Sequence, residues 1–291
     1  MKTIESILSQ IPALDGGAFS VSVLAGGMTN HNYLVEGKEQ KFVLRLVGEG
    51  TDYLGIDREM EYSYACAAAE ADLSGEVVAF LPEHGAMLTR FISGRVLSAT
   101  DVKDSKQMPR VVEALKQLHS LNINRGKFSV FEAARRNYNF AVQNKVIFPN
   151  IMTRALTLLD EIEATLAADS NKIDCPCHND LLPENLIDDG SAVRIIDWEF
   201  ASMGDLFFDL GNLAVNSDFD EEHEREFLKL YFGEVKPQHL SRLQLMRQAS
   251  DMREATWGFL QTGISELPVD YLDYGQTHLQ RFLSAAPERS Q

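Results

Sequence analysis

One short segment constrains this chain more than any other: Cys177-His178-Asn179-Asp180-Leu181-Leu182-Pro183-Glu184-Asn185-Leu186-Ile187, followed by Ile196-Asp197-Trp198-Glu199. Within it Asp180, Asn185 and Asp197 fall inside eighteen residues. Short apolar pieces, Leu186-Ile187 and Val193-Arg194-Ile195-Ile196, flank the Asp188-Asp189-Gly190 turn, so the spacing predicts a β-hairpin-like insert with polar loops inside an otherwise helical stretch. Polar loops carried on a rigid pair of strands are where chemistry is placed. Phosphoryl transfer calls for this set of side chains: a carboxylate to accept or orient a hydroxyl proton, and an amide oxygen with a second carboxylate to hold Mg²⁺ on a triphosphate.

The remainder of the chain has to support that segment. With 291 residues, 45% hydrophobic and 24% charged, it can bury a full core without metal or disulfide staples. At about 150 residues per domain, the length predicts two lobes with a site between them. Residues 1–94 read as strands around one helix. Phe19 to Ala25, Tyr33 to Glu36, Lys41 to Val47, Val77 to Leu81 and Ala86 to Ile92 are strand-like, while Ile56 to Ala71 is Ala-rich and lacks Gly and Pro. Residues 95–291 read as mostly helical, with apolar periodicity over Gln107 to Leu121 and Ile151 to Ala168. The expected class is α+β, a small N-terminal mixed β-sheet lobe (1–94) and a larger, mainly helical C-terminal lobe (95–291).

Lys and Arg number 27 against 43 Asp and Glu, a formal charge of −16, which repels phosphate backbones and anionic membrane surfaces. Neither nucleic acid nor membrane is therefore expected as a partner. The three cysteines, Cys66, Cys175 and Cys177, are an odd number and predict reduced thiols in a cytoplasmic compartment. No export signal is read at the N-terminus, and no window holds 18 consecutive apolar residues. Cys175-Pro176-Cys177 lacks a second Cys pair at zinc spacing and reads as a strand entering the polar loop.

Upstream, Ala25-Gly26-Gly27-Met28-Thr29-Asn30-His31-Asn32-Tyr33 lies between two strand-like runs and can lay small residues and backbone N–H groups over phosphates. Val43-Leu44-Arg45-Leu46 then sets a cation on a strand, and Asp57-Arg58-Glu59-Met60-Glu61 opens the following helix with acids that can pair with it. Together these motifs resemble the protein-kinase-like small-molecule phosphotransferases, the group that holds choline and ethanolamine kinases and aminoglycoside phosphotransferases. The likeness runs over roughly residues 20 to 280, strongest at 24–48 and 175–212. The Gly-Gly-x-Thr-Asn-x-x-Tyr loop and the Arg on the strand are closest to choline kinases.

The resemblance implies ATP as phosphoryl donor and Mg²⁺ as cofactor. It implies Asp180 as catalytic base, Asn185 and Asp197 as metal ligands, and His178 and Asp209 as structural support. Gly26, Gly27, Thr29, Asn30, Arg45 and Glu61 are implied on the nucleotide, with Glu59 held in reserve as the partner of Arg45; His119, at the end of a long helix, is implied to be structural. For the acceptor, Trp257-Gly258-Phe259-Leu260-Gln261, Ile264-Ser265 and Tyr274 resemble the choline-kinase pattern in which aromatic faces hold a quaternary ammonium. Trp257 and Tyr274 are then two walls of the site. Glu254 stands where that family usually has another Trp, and Glu199 adds charge to the same mouth. The expected acceptor is a small cationic alcohol, choline or ethanolamine. An aminoglycoside- or thiamine-type acceptor is the alternative within the same fold, and a non-catalytic module is disfavoured by the intact Asp180, Asn185 and Asp197.

Overall fold

The computed structural model describes residues 4–14, 17–24, 30–48, 51–265, 267 and 269–285. A short helix, α1 (Ile4–Leu8), precedes the first strands, β1 (Ser20–Val23), β2 (Asn30–Glu36) and β3 (Lys41–Val47). After α2 (Arg58–Glu70) come β4 (Val77–Leu81) and β5 (Ala86–Arg90), and the five strands form one sheet in the order β1-β2-β3-β5-β4. Every pair in it is antiparallel. Val35, Leu44 and Leu88 point to one face, where Ile7 and Ile11 cover them. The strand β2 begins at Asn30, earlier than the alternation from Tyr33 predicts, because Asn30, His31 and Asn32 carry no apolar signal yet pair with Val47, Leu46 and Arg45 of β3. Helix α2 keeps nearly the expected bounds. Its first free N–H groups, those of Glu59 and Met60, are taken by the Asp57 carboxylate, a side-chain cap that the string Asp57-Arg58-Glu59 already favours.

The second lobe opens with β6 (Arg95–Val96) and the helices α3 (Ala99–Lys103), α4 (Met108–His119), α5 (Val130–Gln143) and α6 (Met152–Ala167). Next come β7 (Asp174–Cys177), β8 (Leu186–Asp188), β9 (Val193–Ile195) and β10 (Ser202–Asp205), then α7 (Leu206–Asn216), α8 (Glu221–Phe232), α9 (Pro237–Ile264) and α10 (Tyr271–Ser284). The expected hairpin is present as β8 paired with β9, Leu186 facing Ile195, and β6 adds to its other side. A separate ladder joins β7 to β10, with Cys177 opposite Ser202. These two small sheets hold the 178–200 segment between them. Helices α4 and α6 follow the predicted spans within a residue or two at each end.

Packing around α9 decides where the site lies. From Ser250 to Gln261 this helix is buried on all sides, including Asp251, Arg253, Glu254 and Thr256, so its polar groups must find partners inside the protein. A Cβ built on Gly258 would stand 2.9 Å from the Gly275 Cα, which shows α9 and α10 in backbone contact there. Only Gly permits that approach, and it brings α10 side chains onto the α9 surface. Each Leu or Phe fully buried along this helix, such as Phe259 and Leu260, contributes about 1.5–3 kcal/mol of transfer free energy.

Candidate active site

The loop after β7 is fixed by a single buried acid. Asp209, in the first turn of α7, accepts the His178 N–H at 2.8 Å on one carboxylate oxygen and the Asn179 N–H at 2.7 Å on the other. His119 Nε2 lies 3.2 Å from the same carboxylate, and His119 Nδ1 lies 2.6 Å from the Tyr231 hydroxyl. His178 packs edge-on against Trp198, and its Nε2 lies 2.9 Å from the Ile196 main-chain oxygen. Asn179 takes φ of 62°, a left-handed conformation uncommon for a residue with a side chain, and its amide is tied to the Phe200 main-chain oxygen at 3.1 Å. Strain of this kind persists only where the surroundings over-determine it. The outcome is that the loop is fixed directly before Asp180.

Asn185 donates to the Asp180 main-chain oxygen at 3.0 Å, which turns its amide oxygen the other way. Asp197 also has a left-handed backbone, with φ of 68°, and its buried Oδ1 finds no hydrogen-bond partner among the described residues. Burial pushes the Asp197 carboxyl well above the usual carboxylate range, and the charges of Glu199, Asp180 and Glu61 push the same way against Arg45. An orphaned carboxylate oxygen among other acids, with an amide oxygen near by, is a hard-oxygen donor set that fits a divalent cation such as Mg²⁺.

The N-terminal lobe supplies a second cluster. Arg45 Nη2 meets Glu61 Oε1 at 2.6 Å, with both side chains buried, while Glu59 sits exposed in the first turn of α2. Arg58 bonds the other Glu61 oxygen at 2.9 Å. Asn30 donates to Glu199 Oε2 at 2.8 Å, Arg58 Nη1 lies 3.4 Å from the same oxygen, and Arg45 Nη1 reaches the Asn30 amide oxygen at 3.3 Å. Glu199, expected beside the acceptor, has its carboxylate bonded to Asn30 of β2 and Arg58 of α2. Gly26, Gly27 and Thr29 lie outside the described residues.

On the opposite side of Asp180, Arg253 Nη2 donates to Asp180 Oδ1 at 2.9 Å. Burial pushes the Asp180 carboxyl up, with Glu254 adding to it and Arg253 opposing. Glu254 comes next on α9, and Trp257 follows one turn later. Tyr274, delivered by α10, donates its hydroxyl to Glu254 Oε2 at 2.7 Å. Burial pushes that hydroxyl's pKa upward, and the neighbouring Glu254 charge adds to it. Trp257 meets Tyr271 and Tyr274 edge to face, at centroid separations of 5.6 and 5.5 Å, and is 6% exposed. The three residues proposed from sequence, Glu254, Trp257 and Tyr274, are thus adjacent, with little of the indole open. Arg58 and Arg253 were missed. Arg58 sat in plain view between two acids, whereas nothing in the local pattern marked Arg253.

Cys66, Cys175 and Cys177 are unpaired thiols. Cys175, Cys177 and His119 are the one group of three or more metal-ligating side chains found close together among the described residues. Both His119 nitrogens already have partners, and burial pushes the Cys177 thiol well up, so the group reads as the packed entry of β7 into the loop. Among the described residues no helix is long and apolar enough to cross a membrane.

The family model for choline/ethanolamine kinases matches residues 21–231. The chain belongs to the choline/ethanolamine kinase family. Protein LicA of Haemophilus influenzae is 30% identical over 226 residues, which take in 76% of this chain and 65% of that protein. The crystal structure of choline kinase LicA from Streptococcus pneumoniae superposes with a TM-score of 0.82 at 27% identity, covering 97% of each chain. A spectinomycin phosphotransferase shares the fold at 15% identity, with a TM-score of 0.68 over 98% of each chain. As a member of this kinase family the chain is a small-molecule phosphotransferase that uses ATP and an alcohol acceptor, and it has the two-lobe α+β fold of the protein-kinase-like enzymes.

Proposed function

We propose that the chain phosphorylates the hydroxyl of choline or ethanolamine, with ethanolamine accepted well beside choline. The observation that carries this reading is the Glu254 carboxylate, held by the Tyr274 hydroxyl against Trp257 and one residue from the arginine that touches Asp180. An aromatic face attracts any ammonium, whereas a carboxylate adds charge-assisted hydrogen bonds that only an ammonium with N–H groups can use. In this reading Asp180 takes the acceptor's hydroxyl proton as the oxygen attacks the γ-phosphorus. The bond from that phosphorus to the bridging oxygen breaks, and ADP leaves with its electrons. Asn185 and Asp197 are the residues that would hold Mg²⁺, which when bound neutralises triphosphate charge. Arg45, fixed by Glu61, grips the phosphates, and the resemblance assigns Gly26, Gly27 and Thr29 to the same nucleotide. The lobes divide at Gly94, directly before β6 pairs with the β8–β9 hairpin, and the three unpaired thiols agree with a cytoplasmic setting.

The test is ADP release with Mg·ATP against choline, ethanolamine, thiamine, kanamycin and methylthioribose. The expected result is turnover with both amino alcohols. Turnover with thiamine or an aminoglycoside and neither amine would overturn the acceptor reading and leave the phosphotransferase assignment standing. Asp180→Asn is expected to lower kcat by about 10²–10⁴ with Mg·ATP affinity nearly unchanged, and wild-type turnover in that variant would remove Asp180 from the reaction.

A further inference from the structure

Arg253 makes contacts that a residue serving only to fill the core does not need. It is 4% exposed on α9 and reaches across to the loop after β7. Nη2 donates to Asp180 Oδ1 at 2.9 Å, and Nη1 donates to the Asn179 main-chain oxygen at 3.0 Å. The same Nη1 stands 3.3 Å from Glu254 Oε1, and the guanidinium carbon lies 4.9 Å over the Phe200 ring. A guanidinium presents its donors in a rigid planar fork. Here the fork holds the main chain of one loop residue and the side chain of the next, so backbone and carboxylate are set together. With Oδ1 engaged, Asp180 Oδ2 makes no hydrogen bond among the described residues and is the oxygen free to face an acceptor.

The position of Glu254 adds a second duty. Two carboxylates, Asp180 and Glu254, approach the same buried guanidinium from different sides. Like charges this close in a poorly hydrated cleft repel strongly, and a cation between them is what lets both serve the site. Proton acceptance and ammonium recognition thereby meet at one side chain.

We propose that Arg253 is a positioning residue of phosphoryl transfer, orienting Asp180 toward the acceptor hydroxyl and screening it from Glu254. The inference rests on Asp180 as the proton acceptor and is independent of which alcohol is physiological. Its test compares wild type with Arg253→Met, Arg253→Lys, Glu254→Gln, the double variant Arg253→Met/Glu254→Gln, and Asp180→Asn. For each, kcat and KM are measured with choline and ethanolamine, and Mg·ATP affinity by calorimetry. Arg253→Met is expected to lower kcat about 30- to 300-fold while Mg·ATP affinity stays within about twofold. Arg253→Lys, with one ammonium in place of a fork, should recover part of that loss and carries the comparison if Arg253→Met does not fold. Adding Glu254→Gln to Arg253→Met should raise kcat severalfold, since the unscreened neighbour is gone, a rescue that simple loss of packing does not produce.

The proposal is overturned if Arg253→Met, or Arg253→Lys where only that variant folds, keeps kcat within about threefold of wild type, or if the losses from Arg253→Met and Glu254→Gln simply add. Asp180→Asn separates the two levels of the argument. A dead Asp180→Asn beside an active Arg253→Met refutes the role of Arg253 alone, whereas an active Asp180→Asn refutes the base on which that role depends. Should neither amine be turned over, the same comparison is run on whichever alcohol of the panel is.

Discussion

Asp209 accepts hydrogen bonds from two successive main-chain N–H groups and lies next to His119, all from a fully buried position. Replacing it with Asn preserves shape while removing the charge and turning an amide NH₂ toward one of the two N–H donors. A bond to a charged acceptor contributes about 1.5–3 kcal/mol, and an unsatisfied buried donor costs about 1–3 kcal/mol. One bond is lost outright and the other falls to the neutral value, so the expected destabilisation is about 3 kcal/mol. At about 2.1 cal/mol/K of unfolding entropy per residue, a chain of 291 residues then loses roughly 5 °C from its unfolding midpoint. Because the one freed and the one weakened N–H belong to the residues directly before Asp180, kcat should fall at least about tenfold as well. Scanning calorimetry and steady-state kinetics on Asp209→Asn measure both. A midpoint within about 1 °C of wild type together with unchanged kcat would refute the claim that this one acid fixes the loop.

Other consequences can be measured in the same way. Asp197→Ala removes the carboxylate whose Oδ1 is buried without a partner among the described residues, and calorimetry should show loss of Mg²⁺-dependent ATP binding; unchanged affinity would take Asp197 out of the metal site. Trp257→Ala should raise the choline KM by roughly 5- to 30-fold with the ATP KM little changed. Since Trp257 is 6% exposed, the same variant should lose about 3–5 kcal/mol of stability in urea unfolding, and a stable protein with normal choline KM would show that the indole neither packs nor binds. Glu254→Trp should shift the ratio of kcat/KM toward choline over ethanolamine, and a shift in the other direction would count against the carboxylate as the group that favours N–H donors.

The sequence made the catalytic segment legible because its chemistry is local. Asp180, Asn185 and Asp197 come from one stretch whose hairpin could be read from turn residues and short apolar runs; β8 pairs with β9 there, and Asn185 donates to the Asp180 main-chain oxygen. Of the two acids that open α2, the structure pairs Glu61 with Arg45, since the α2 face that turns inward carries Glu61, Tyr64, Ala65 and Ala68. Contacts between distant segments were hidden. Arg253 lies 73 residues from Asp180, and no periodicity marks an arginine inside a helix whose buried surface extends all the way round. The contacts of Glu199 were hidden in the same way, since Asn30 and Arg58 lie 169 and 141 residues from it. The early start of β2 at Asn30 was likewise set by the neighbouring strand, with no hydrophobic pattern to announce it.

The bonds from Asn30 and Arg58 to Glu199 run from the sheet lobe to the helical lobe across the cleft. They are not the only ties: Tyr64 and Leu73 on the sheet side share one buried core with Leu118 and Trp198, and the Tyr64 hydroxyl donates to the Arg125 main-chain oxygen at 2.9 Å, so the two lobes are joined behind the cleft as well as across it. The carboxylate at position 199 therefore fastens only the front of a joint whose back is a packed core, and a shorter or neutral side chain there is expected to loosen the front while the two halves stay together.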